Sequence, residues 1–236
     1  MKNQYVGDIN DYRKYGLLRV LTDLGRHPLA TCWMLTADDG RTDGRKIGYL
    51  QDPGHWRGLD PPLFDALHRM VGLHGQRDVN AVEAAGILPG ARFDRTLLTD
   101  SPAQRREHMR NTYRIVEGTD LAFFDPDNGI EIASKPYGRK HSCKHLYWRE
   151  IEEAYRLGPS LLIYQHFRRI KRDIFIADLA RALQEHTGAR TVHSFRTSHV
   201  VFLLVTQRRH EAWIGARSEV VADHWAGQIH VARHGE

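Results

Sequence analysis

Short apolar runs alternate with amphipathic segments along most of this chain. No other feature constrains the fold as tightly. The runs are LATCWMLT, RFDRTLLT, TDLAFF, PSLLIYQHF and RTVHSFRTSHVVFLLVTQ. Between them lie DYRKYGLLRVLTDLG, PPLFDALHRMVGLHG, DVNAVEAAGIL, SPAQRREHMRNTYRIVEG, LYWREIEEAYRLG and RRIKRDIFIADLARALQEHTG, and RHEAWIGARSEVVADHW closes the series. In the first of these, Tyr12, Tyr15, Leu18 and Leu21 recur at helical spacing, with Gly25 as a C-cap. Strands separated by helices predict an α/β fold, a doubly wound and mostly parallel sheet with helices on both faces. The last two strands are adjacent and predict a C-terminal antiparallel hairpin, its return strand at the sheet edge. The 236 residues fit a single α/β domain, 1–236, with a helical insertion around 52–90.

In such a sheet, ligands sit beyond the carboxyl ends of the strands. Four polar clusters fall where runs end or helices begin. FFDPDNGIE (123–131) puts Asp125, Asp127, Asn128 and Glu131 directly after a buried-strand pattern. An unpaired charge there costs free energy, although Asp-Asn-Gly is also a good turn. The loop after WMLT carries Thr36, Asp39, Gly40 and Gly44, whose glycines permit close backbone approach to a ligand. GDINDYRKYG sets Asn10, Asp11 and Lys14 around the first helix turn, where acids also favour the helix dipole. YQHFRR brings Tyr164, His166, Arg168 and Arg169 to a strand end, with an arginine pair suited to phosphate and His166 as a base. HSCKH offers three donors, fewer than the four or so that zinc takes.

The net charge of +5 rests largely on arginine. Arg105, Arg106, Arg168, Arg169 and Lys171 would neutralise phosphates if the partner is a nucleic acid. Cys32 and Cys143 lie in dissimilar surroundings, so no disulfide is expected. No apolar stretch approaches a signal sequence or a membrane span, so the expectation is a soluble, cytoplasmic protein without membrane association.

GDINDYRKYGLL, LTADDGRTDGRKIGYL and LAFFDPDNGIE, in this order, resemble the class I (Rossmann-like) S-adenosylmethionine-dependent methyltransferases. The likeness is to the ribosomal RNA adenine-N6 enzymes, which carry a D-P-P-Y motif, and it spans roughly residues 5–170. It implies S-adenosylmethionine as cofactor, bound by Asn10, Asp11, Lys14, Thr36, Asp39 and Gly40. Lys14 would meet the methionine carboxylate and Asp39 the ammonium or ribose. Asp125 would orient the nucleophile of a flipped base, with Asp127, Asn128 and His166 beside it. Asp127 replaces the second proline of that motif and Asn128 its aromatic residue. Tyr164, or Phe167, would then supply the stacking ring, with Arg168 and Arg169 on the substrate. Two other readings remain open. One is a metal-dependent nuclease or phosphodiesterase holding Mg²⁺ on Asp125, Asp127 and Glu131. The other is a non-catalytic nucleic-acid-binding protein on a degenerate methyltransferase fold.

Overall fold

The computed structural model describes residues 1–38, 40 and 44–235. Helix α1 (Ile9–Leu21) precedes strand β1 (Leu29–Cys32). Three short helices follow, α2 (Pro53–Trp56), α3 (Pro61–Leu67) and α4 (Val79–Ala84), with a π-helical turn at His68–Leu73. Then come β2 (Arg92–Asp94), α5 (Pro102–Val116), β3 (Leu121–Phe124) and the two-residue strands β4 (Gly129–Ile130) and β5 (His145–Leu146). The chain continues through α6 (Trp148–Arg156), β6 (Ser160–His166), α7 (Arg172–Thr187), β7 (Thr191–Arg196), β8 (Val200–Val205), α8 (Glu211–His224) and β9 (His230–Gly235).

Seven strands form one sheet in the order β2-β1-β3-β6-β8-β7-β9, and β4 pairs with β5 apart from it. Strands β2, β1, β3 and β6 are parallel. Strand β8 runs antiparallel to both β6 and β7, and β9 antiparallel to β7. The α/β class, the mostly parallel sheet and the C-terminal hairpin therefore stand. The return strand, however, lies inside the sheet rather than at its edge. Its six residues VVFLLV are all buried, a pattern that only a strand covered on both faces can satisfy. The edge belongs to β9, which the apolar pattern did not announce because HVARHG is half exposed.

Period-two alternation divides the strands between two cores. Leu121 and Phe123 face the core shared with α1, α3, α4 and α8, while Ala122 and Phe124 face that of α5, α6 and α7. Helices thus cover both faces of the sheet. Among the described residues no helix is long and apolar enough to cross a membrane, and both cysteines are free.

Candidate active site at the carboxyl ends of the central strands

Strands β1, β3 and β6 are neighbours, with Cys32, Phe124 and Ile163 in register. Their carboxyl ends point the same way, so Thr36, Asp125 and His166 come to one sheet edge as the three polar strand ends predicted. The Asp125 amide still donates to the Cys32 carbonyl at 3.1 Å, which fixes the residue as the chain leaves the sheet. Helix α1 begins beside it. Asp8 caps the helix, accepting from the amides of Asn10 and Asp11 at 2.8 and 3.1 Å.

Lys14 joins the two segments. Its Nζ lies 2.7 Å from Asp11 Oδ1 and 2.7 Å from Asp125 Oδ2, and the side chain is only 2% exposed. Burial alone would pull the ammonium down, but the two carboxylates outweigh it and raise its pKa. Two carboxylates around one ammonium leave one excess negative charge. Asp125 carries the consequence: burial raises its pKa against the pull of Lys14 and of the Met1 ammonium. Asp11 is also engaged by the Tyr15 hydroxyl at 2.9 Å and the Gly7 amide at 3.0 Å. Lys14, expected to grip a cofactor carboxylate, lies in the pocket wall with two carboxylates of the chain already on it. An ammonium already shared by two carboxylates is neutralised, and what it holds is Asp125.

Asp127 points into the same pocket. It accepts from the Thr36 hydroxyl at 2.6 Å and pairs with the Met1 ammonium at 2.8 Å. Burial would raise its pKa, yet the ammonium and the hydroxyl keep it below the ordinary carboxylate range. Thr36 is thus spent on orienting Asp127, where a cofactor contact was expected. Asn128 turns out of the pocket: its amide donates to Lys144 O at 2.9 Å and its side chain faces His145 Nε2 at 3.4 Å. The reason lies at Gly129 (φ 109°), where a Cβ would fall 2.2 Å from the Gln165 side-chain oxygen. Gln165 staples this turn, accepting from Ile130 N at 2.8 Å and donating to Asn128 O at 3.3 Å.

The resulting pocket encloses about 290 Å³, at the small end of ligand sites. Asn10, Asp125, Pro126, Tyr164, His166 and Lys46 are among its walls. The Tyr164 hydroxyl lies 3.0 Å from His166 Nε2. Burial lowers the His166 pKa, with Asp127 and Asp125 opposing, so a neutral imidazole is favoured. Asn10 Oδ1 is buried in the wall with no hydrogen-bond partner among the described residues. Arg168 and Arg169 are exposed beyond β6 and do not line the pocket. Gly40 is exposed with open space around it and lies outside the pocket lining. Asp39 lies outside the described residues.

Among the described residues no three His, Cys, Asp or Glu side chains converge where a metal ion could be held, which leaves Asp125, Asp127 and Glu131 apart as ligands and HSCKH without a zinc geometry. Arg105 is corrected as a phosphate contact: it is buried, with Nε and Nη2 on the Glu150 carboxylate at 2.7 and 2.8 Å. Sequence reasoning missed Met1, Tyr5, Lys46, His199 and Gln165. Each is a single residue whose significance depends on a partner far along the chain.

No family model matches the chain, and comparison with curated proteins finds no match. Among solved structures it is similar to protein LPL1258 from Legionella pneumophila str. Philadelphia 1, described as DUF519. The two share 11% identity over 97% of each chain, with a TM-score of 0.46.

Proposed function

We propose that this protein is an S-adenosylmethionine-dependent methyltransferase acting on a nucleic acid or a related substrate. The observation that carries the reading is the held carboxylate: Asp125, at the end of β3, is clamped by Lys14 and opens on a pocket. The pocket suits this cofactor on two counts. The excess negative charge of the Asp11–Lys14–Asp125 cluster favours a sulfonium cation. The orphaned Asn10 Oδ1 needs a donor, which an ammonium or a ribose hydroxyl supplies.

The cofactor supplies an activated methyl group when bound; the remaining work falls to the chain. Asp125 accepts a hydrogen bond from the substrate nucleophile, and Lys14 fixes its direction. Pro126 stiffens the turn. Tyr164 takes the place of the missing motif aromatic as the flat surface for a base, since Asn128 faces away. Neutral His166 at the pocket wall is able to receive the proton that the nucleophile releases.

Calorimetry with S-adenosylhomocysteine tests the reading. The wild type is expected to bind, and Asn10→Ala to bind about ten-fold more weakly. A wild type that shows no heat of binding at millimolar ligand overturns it.

A further inference from the structure

Arg13 is a buried guanidinium without a counter-ion among the described residues. It follows Tyr12 on α1 and is 8% exposed. Its Nε and Nη2 donate to the neutral Gln228 Oε1 at 3.1 and 2.7 Å, and its plane lies 5.7 Å from the Trp56 ring centre. Nη1 is buried with no hydrogen-bond partner among the described residues. No carboxylate among the described residues lies within ion-pair distance of it. Burial lowers its pKa against the more distant Asp8. A buried, uncompensated charge is costly and is retained where an anion comes to meet it.

Other cations gather at the same place. Lys46 Nζ donates to His199 Nε2 at 2.9 Å, and Arg172 Nη2 donates to the Ser198 carbonyl at 2.9 Å. The turn between β7 and β8 therefore meets both Lys46 and Arg172. Burial, then Lys46, Arg13 and Arg172 in that order, depress the His199 pKa, so all three cations act on one imidazole. Lys46 and His199 belong to the Asp125 pocket. Arg172, Ser198 and Gln228 line the adjoining groove together with Arg196 and His230. Of the acids nearby, Asp8 caps α1 and Asp173 lies 3.4 Å from Arg196, while Asp11 and Asp125 share Lys14 deeper in the pocket.

We propose that Arg13, Lys46, His199 and Arg172 form a phosphate-binding site that holds the backbone of a single-stranded nucleic acid at the mouth of the Asp125 pocket. The choice of nucleic acid rests on the methyltransferase reading, in which the target base must leave the stack to reach Asp125. The site also differs from the arginine-rich stretches that the composition singled out, because Arg105 is buried and Arg168 and Arg169 lie outside the pocket lining.

The test is fluorescence anisotropy with a mixed-sequence single-stranded RNA oligonucleotide across a salt series. The wild type is expected to bind with steep salt dependence. Arg13→Gln and Arg172→Ala should each weaken binding about ten-fold at low salt and flatten the logarithmic salt slope by about 0.7. Arg172→Ala should leave S-adenosylhomocysteine affinity unchanged. Should Arg13→Gln fail to fold, Lys46→Ala, at an exposed position, replaces it. No RNA binding by the wild type at low salt, or equal binding by the variants, overturns the site. So does an Arg13→Gln protein that loses S-adenosylhomocysteine but keeps RNA, because the guanidinium then serves the cofactor carboxylate. A wild type that binds RNA through these residues but no S-adenosylhomocysteine sinks the methyltransferase reading and leaves the phosphate site standing.

Discussion

Two buried ion clusters tie distant segments of this molecule together, and they are built on opposite principles. On one face of the sheet Arg105 meets Glu150 with two parallel hydrogen bonds and donates further to the Ser142 and His145 carbonyls. Its guanidinium also lies 4.8 Å from the Tyr147 ring centre. One cation faces one anion, and four of the five guanidinium N–H groups are used. On the other face Lys14 is shared by Asp11 and Asp125, so one negative charge is left over beside an open pocket. The first cluster is closed and has nothing to offer a ligand. The second is unbalanced where a ligand can reach it. Burial and ion pairing do not distinguish the two clusters; the residual charge beside a pocket does.

The largest expected effect falls on the closed cluster. Arg105→Ala leaves the Glu150 carboxylate buried without its partner, so stability should drop by about 3–5 kcal/mol. Chemical denaturation of variant and wild type measures this. S-adenosylhomocysteine and RNA binding, measured under conditions where the variant remains folded, should be unaffected. A drop below about 1 kcal/mol would mean that Glu150 is reached by water, and the contrast between the clusters would fail.

The next effect is on the unbalanced side and depends on pH. Burial first, then Asp11, raise the Asp8 carboxyl from 3.8 to about 6. A carboxylate whose pKa is higher in the fold than in the unfolded chain is protonated more readily in the fold. Its ionisation therefore costs stability, not at all below about pH 4 and in full above about pH 6. That gap corresponds to about 3 kcal/mol. Asp8→Asn keeps an N-cap acceptor and removes the charge. It should stabilise the protein by up to about 3 kcal/mol at pH 8 and leave it unchanged at pH 4. Thermal melts at both values check this, and a variant equally stabilised at both would show that the charge is not the cause.

The same contrast explains what could be read before the structure was known. The strands were legible because LAFF and LLIY are continuous apolar runs, and the polar residues after them marked one sheet edge. Helix α5 shows where the information lay unused. Arg105, His108, Met109, Thr112 and Val116 are its buried residues, a helical stripe that places Arg105 on the inward face although QRREHMR reads as uniformly basic. Likewise VVFLLV, apolar at every position, marks an interior strand. The pairings were not legible. Lys14 and Asp125 are 111 residues apart, and nothing local distinguishes a lysine that meets a ligand from one that holds a carboxylate. Lys14→Ala should lower the melting temperature, because removing this buried ammonium leaves two carboxylates facing each other.

The smallest effect on stability is expected at Asp125 itself, and it discriminates best. Asp125→Asn removes the leftover charge while Lys14 keeps Asp11 as its partner at 2.7 Å. The new amide oxygen still accepts from Lys14 in place of the present 2.7 Å contact. The loss of a charged hydrogen bond and the relief of a buried charge act in opposite directions. The net change at neutral pH should stay within about 1 kcal/mol. Methyl transfer from labelled S-adenosylmethionine to RNA should nevertheless be abolished, because an amide presents a donor where the nucleophile needs an acceptor. Denaturation curves and the transfer assay on the same preparation separate the two. A variant that loses several kcal/mol would move Asp125 into the class of Glu150, a charge kept for the fold. A variant that is stable and still transfers methyl groups would remove the carboxylate from the chemistry altogether.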